Sequence, residues 1–198
     1  MTRRKITRGY GLLEGFLARK RAAMVDSLIP EDYRAGRILD IGCGSYPLFL
    51  DRTRFAVKYG IDGTVAVNAV LHDITLMRYD VASGGPLPFG EGYFDVITML
   101  AVVEHLERRE LLILMKEIYR VLKFGGLYIL TTPAPWTEPI LRILAKLRLV
   151  SPLEIGEHKE AYSRRRMIEI LQNVPFPLEQ IKLGHFELFL NTWAVAKK

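Results

Sequence analysis

Short apolar blocks punctuate the middle of the chain: GRILDI over 36–41, VKYGI over 57–61, TLMRYD over 75–80, YFDVITML over 93–100 and LYILTT over 127–132. None shows the clean alternation of a strand with one wet face, so they predict strands covered on both faces, as in a parallel sheet. Between the last two blocks the period lengthens. Leu111, Leu114, Met115, Ile118, Val121 and Leu122 recur at helical spacing, while Arg109, Glu110, Lys116, Glu117 and Arg120 take the outer face. That pattern predicts a helix stopped by Gly125 and Gly126. Near the C-terminus, EQIKLGHFELFL and NTWAVAKK predict two adjacent strands paired at the sheet edge. Residues 9–29 and 136–149 predict helices outside this core. In the first of these, Leu12, Leu13, Phe16 and Leu17 stand close together, with Met24, Val25 and Leu28 continuing, so one face is expected to be buried.

Strand-like and helix-like segments alternate with no internal repeat and no flexible linker. One α/β domain over 1–198 is expected, with a cap at 1–35, a core at 36–133, a pocket-forming region at 134–175 and a strand pair at 176–198. Composition agrees: 198 residues, 49% hydrophobic and 25% charged, describe a globular chain with a real core. No apolar run approaches a membrane span, and Glu14, Arg19, Lys20 and Arg21 interrupt any signal-peptide core, so a cytoplasmic location is expected. The single cysteine, Cys43, excludes an intramolecular disulfide and reads as a small turn-filling residue. A formal charge of +6 permits an anionic partner without requiring one. The basic clusters at 3–8, 19–21 and 164–166 read first as solvated faces.

The chemistry concentrates after the first strand, in RILDIGCGSYP. A nicotinamide fingerprint needs a third glycine where this chain has Pro47, which disfavours a dinucleotide. Asp40 sits at the strand end just before Gly42, Cys43 and Gly44, where a carboxylate repels a pyrophosphate and suits a cationic group. Asp62 ends the next strand at the distance expected for an acid on a ribose diol. Asp80 closes the third. Together the three make an acceptor-rich rim for an ammonium, two hydroxyls and an adenine amino group.

In these motifs the sequence resembles the class I S-adenosylmethionine-dependent methyltransferases, especially the subgroup acting on small molecules. LDIGCG resembles the family's glycine-rich first motif and YGIDGT its ribose-binding acid. DVASGGPLPFGEGYFDVITMLAVVEHL is similar to its adenine-side loop, fourth strand and following helix, and EIYRVLKFGGLYILTTP to the helix and strand beyond. The resemblance implies a Rossmann-like, doubly wound, mostly parallel seven-stranded sheet with an antiparallel C-terminal hairpin strand. It implies S-adenosylmethionine as cofactor and S-adenosylhomocysteine as product. By it, Asp40 and the backbone of Gly42, Cys43 and Gly44 hold the methionine portion, Asp62 the ribose, and Asp80 with the Val81 backbone the adenine. Gly63 and Leu100 line the sides. The N-terminal helix closes over the methionine end, with Tyr10 available to its carboxylate.

His105, after the fourth strand, is the candidate general base, although a packing role competes. AVVEH lacks the first carboxylate of an ExxEH metal motif, and no metal is expected. EHKEAYSRRRM resembles the segment that covers the acceptor pocket, which makes His158 and Tyr162 candidate substrate contacts. The basic amphipathic stretch 138–150 reads as a lid, with an oligomer contact or peripheral membrane contact as alternatives. No DPPY-like sequence follows the fourth strand, and a nucleic-acid acceptor is disfavoured. A small-molecule acceptor, methylated at oxygen or carbon, is the expectation. A catalytically silent adenosylmethionine-binding module and a lipid-like or nucleic-acid substrate are the alternatives.

Overall fold

The computed structural model describes residues 13–65, 69–137, 139–140, 146, 149 and 162–198. The apolar blocks form parallel strands β1 (Arg37–Ile41), β2 (Val57–Asp62), β4 (Ile74–Arg78), β5 (Phe94–Leu100) and β6 (Leu122–Pro133). A short antiparallel strand, β3 (Ala69–Leu71), flanks β4 at one edge. At the other edge, the antiparallel pair β7 (Ile181–Phe186) and β8 (Asn191–Lys197) joins through β8 to β6. The order is β3-β4-β2-β1-β5-β6-β8-β7. Connections leave β1 toward β2 on one side and reach β5 on the other. The carboxyl ends of β1 and β5 therefore flank the switch point where such sheets bind ligands.

Among the described residues the sheet has eight strands where seven are expected, and β3 is the addition. The spacing between Asp62 and Asp80 predicts a short helix there. Instead Ala69, Val70 and Leu71 pair with Leu76, Thr75 and Ile74 across a tight turn at His72, whose φ is 55°. Residues 63–73 are too few for a helical crossover, which takes about a dozen or more. The chain extends the sheet edge instead.

Helices cover both faces. On one, α1 (Glu14–Ser27) and α2 (Leu48–Arg52) bring Ala22, Val25, Phe49 and Leu50 against Ile38, Val96 and Ile129. On the other, α3 (Arg108–Val121) and α4 (Arg164–Leu171) bring Leu111, Met115, Ile118 and Met167 against Leu39, Ile97 and Tyr128. This two-sided cover is why β1 and β5 read as mainly apolar runs without alternation. A capping box fixes the start of α3, where the Glu107 N–H donates to Glu110 Oε2 at 2.7 Å.

Two expectations change here. Burial along α1 begins only at Ala22, and Leu13 and Phe16 stay exposed. α3 ends at Val121 rather than at the glycine pair, and β6 follows at once. Gly125, at φ +79°, lies in a bulge inside β6: Phe94 pairs with Leu122 but Val96 with Leu127, so the glycines absorb extra residues in a strand rather than stop a helix.

Candidate active site

Asp40 is the buried polar residue of β1. It pairs in register with Thr98 of β5, whose Oγ1 donates to the Asp40 carboxylate at 2.7 Å, and both residues are buried. Burial pushes the Asp40 carboxyl up to about 7; the Thr98 bond opposes this and the nearby charge of Asp62 adds to it.

The chain then turns through two glycines with positive φ, Gly42 at +76° and Gly44 at +71°. The Gly42 N–H donates to the Ile61 carbonyl at 2.8 Å, tying the turn to β2. A Cβ on Gly42 would lie 2.3 Å from Val102 Cγ2, because the loop after β5 packs directly on the turn. Cys43 is buried over Gly60, where a Cβ would stand 2.8 Å from its sulfur. Burial pushes the Cys43 thiol far up, and Asp40 and Asp62 push it further. It stays protonated, which suits a packing residue and not a nucleophile.

Asp62, the last residue of β2, reaches back to this turn. Its carboxylate accepts the Gly44 N–H at 3.1 Å, the Thr64 N–H at 2.7 Å and the Thr64 hydroxyl. Gly63 continues the same strand end. On the next strand, Asp62 pairs with Arg78, so Asp80 lies beyond the end of β4. It is exposed, and its Oδ1 accepts the Ala82 N–H at 3.0 Å, starting an Asx turn beside the half-buried Val81.

Across the switch point, half-buried Leu100 ends β5, and Ala101 takes φ 56°. The Ala101 N–H is held by both the carbonyl and the Oγ1 of Thr131, at 3.0 and 3.2 Å. A short turn, Val103–His105, follows. Its buried Glu104 accepts from Thr132 Oγ1 at 3.1 Å, and its half-buried His105 is next in the chain. Tyr162 is buried in the core cluster with Leu106, and its hydroxyl donates to the Leu106 carbonyl at 3.5 Å. Tyr10 and His158, and most of 138–150, lie outside the described residues.

The fold thus brings Asp40, Gly42, Cys43, Gly44, Asp62 and Gly63 onto two adjacent strand ends, with Asp80 and Val81 on the third and Leu100 and His105 after β5, on the other side of β1. Sequence reading overlooked Thr98, Val102 and Thr132. Thr98 carried a signal, as the one hydroxyl within the apolar run VITML; the other two are set by packing alone. Among the described residues, no group of three or more His, Cys, Asp or Glu is placed to hold a metal ion. No helix among them is long and apolar enough to cross a membrane.

Residues 39–130 match the family model of the methyltransferase domain, a range that holds the glycine turn, all three strand-end aspartates and His105. Over those residues the chain carries a methyltransferase domain. Solved methyltransferases share its fold. The S-adenosylmethionine-dependent methyltransferase of Mesorhizobium loti superposes with a TM-score of 0.66 at 16% identity, over 89% of this chain and 96% of that one. An S-adenosylmethionine-dependent methyltransferase of Archaeoglobus fulgidus gives 0.63 at 17% identity, over 93% and 100%. A chain from the complex of the Haloferax volcanii Trm112 methyltransferase activator with a methyltransferase gives 0.65 at 14% identity, over 93% and 92%. Comparison with curated proteins gives no match. For this methyltransferase, the family implies S-adenosylmethionine as the cofactor.

Proposed function

We propose that the rim around the glycine turn binds S-adenosylmethionine and that the protein moves its methyl group to a small-molecule acceptor, at oxygen or carbon. The observation that supports this most is the pair of buried carboxylates, Asp40 and Asp62, held on adjacent strand ends beside a turn that Gly42 and Gly44 carry through positive φ. The donor set fits the cofactor. A desolvated carboxylate at Asp40 suits an ammonium, and Asp62 suits a pair of hydroxyls.

When bound, the cofactor supplies an electrophilic methyl group on a sulfonium. In this reading Asp40 takes the amino group of the methionine portion, with Thr98 fixing its orientation. The backbone of Gly42, Cys43 and Gly44 lies along the same portion, with Tyr10 reaching its carboxylate. Asp62 accepts the ribose hydroxyls in exchange for the Thr64 hydroxyl, while Gly63 and Leu100 flank the nucleoside. Asp80 accepts from the adenine amino group and the Val81 N–H donates to the ring. S-adenosylhomocysteine is the product. His105 takes the proton from a hydroxyl acceptor, His158 contacts the acceptor, and buried Tyr162, through its bond to the Leu106 carbonyl, steadies the turn that carries His105. Holding the acceptor in line, in a dry cleft, supplies most of the rate.

Calorimetry tests the reading. Adenosylmethionine and adenosylhomocysteine should bind, and NAD should not bind comparably; preferential binding of NAD would sink the proposal. Transfer of a labelled methyl group to metabolite extracts, compared with nucleic acid, then separates the acceptor classes. Cofactor binding with no transfer to any acceptor would favour the silent binding module.

A further inference from the structure

The loop joining β7 to β8 reads Glu187-Leu188-Phe189-Leu190, and its first three residues all adopt the left-handed backbone conformation, with φ of 52°, 55° and 68°. Asparagine and glycine adopt that conformation readily, whereas leucine and phenylalanine do so only under strain. Burial does not offset the strain, because Leu188 is 88% and Phe189 65% exposed. The loop holds two apolar side chains largely out in water, with the ring of His185 5.7 Å from that of Phe189. Strain kept without a folding benefit is a mark of function.

The tip has a defined position. Asn191 pairs with Pro133 and the Ala134 N–H donates to the Leu190 carbonyl at 2.9 Å, which seats the loop at the carboxyl end of β6, on the rim formed by the ends of the parallel strands. Exposed Trp136 follows two residues after Ala134. Burial raises the Glu187 carboxyl, and the positive charges of Arg21 and Lys20 on α1 act against that rise. Lys20 stands 5.6 Å over the ring of exposed Phe16, and Arg19 beside it is exposed. The one acid of the loop, Glu187, is half-buried and accepts from Asn191 Nδ2 at 2.6 Å. Apolar and aromatic projections bordered by outward cations match the chemistry of an anionic bilayer surface.

We propose that this rim is a membrane-contacting surface: Leu188 and Phe189 enter the interfacial layer of an anionic bilayer, Trp136 and Phe16 lie beside them, and Arg19 and Lys20 meet the headgroups. The surface stands independently of the methyl-transfer reading, since its test uses no cofactor and no acceptor.

The test is co-sedimentation of the full chain with vesicles of phosphatidylcholine alone and of phosphatidylcholine and phosphatidylglycerol in equal parts. The protein should partition onto the mixed vesicles, weakly onto the neutral ones, and less as salt is raised. The double variant Leu188→Asn, Phe189→Asn should lower partitioning at least about tenfold. Lys20→Glu should lower it by about fivefold or more. Because asparagine relieves the left-handed strain, the double variant should unfold at equal or higher urea than the parent, so lost binding cannot be lost folding. Parent protein that ignores the mixed vesicles, or a double variant that binds them equally well, overturns the proposal. So does a chain that forms dimers in their absence which the double variant dissolves, since the surface then belongs to a second copy.

Discussion

The Gly44 N–H donates to the carboxylate of Asp62 at 3.1 Å, so the turn that ends β1 is latched to the last residue of β2. The acid proposed to receive the ribose also shapes the turn proposed to receive the methionine portion. Asp62→Ala should therefore weaken adenosylhomocysteine binding beyond the loss of direct contacts. The expected loss is about 1.5–3 kcal/mol for the charged hydrogen bonds, at least about tenfold in affinity. Calorimetry gives the affinity, and circular dichroism checks that the variant folds. Unchanged affinity would reduce Asp62 to a turn residue.

Asp40 makes stability fall with rising pH. Its carboxyl titrates near 3.8 when unfolded and about 7 when folded, so between those values the native state holds a proton that the unfolded chain has released. The unfolded state binds fewer protons there, and the contribution present below the window is lost as pH rises through it. Urea midpoints of the parent minus those of Asp40→Asn should decline from pH 4 to pH 7. An ammonium seated on Asp40 would draw the carboxyl down, so cofactor binding just below pH 7 should release a proton. Calorimetry in buffers of differing ionisation enthalpy counts it.

Gly42→Ala meets two separable obstacles. Alanine is disfavoured at φ +76°, and its Cβ would press on Val102 Cγ2. The backbone part should cost about 1–2 kcal/mol and the crowding about 1–3 kcal/mol. Adding Val102→Ala should recover the second part and leave the first. Denaturant unfolding of the single and double variants distinguishes this from a site where backbone strain alone matters.

Arg120 clamps the loop that follows Asp80. Its guanidinium donates to the carbonyls of Phe89 and Leu87 at 2.9 and 3.1 Å, while Glu117 accepts the Leu87 N–H at 2.8 Å. The bond from Arg120 holds the Glu117 carboxyl below its usual range, against partial burial. Arg120→Lys, with a single point donor, cannot reproduce that fork. Amide exchange over 85–91 should quicken in the lysine variant while the central strands stay protected.

Tyr128→Phe should be nearly neutral, within about 0.5 kcal/mol, because the buried hydroxyl's partner among the described residues is the weak acceptor Met99 Sδ at 3.9 Å. Thermal unfolding would show a shift of several degrees if a stronger partner were lost.

Sequence alone determined the alternation of strands and helices and the strand-end position of the chemistry. Both follow from local rules: a strand buried on both faces must be an apolar run, and a glycine turn must interrupt it where the backbone goes left-handed. RILDIGCG and YFDVITML were legible for that reason, and so were Asp40, Gly42, Gly44 and Asp62. Only the tertiary structure decided what the chain does between β2 and β4, where an edge strand replaces a helix because β4 must return parallel to β2 over a connection too short for a helical crossover. It decided the bulge at Gly125, since register is set by the partner strand and not by the glycine. It also decided which hydroxyl meets Asp40, which side chain crowds Gly42, and that Leu188 and Phe189 point into water. Contacts between residues far apart in sequence leave no period to read, so they emerge when the sheet closes.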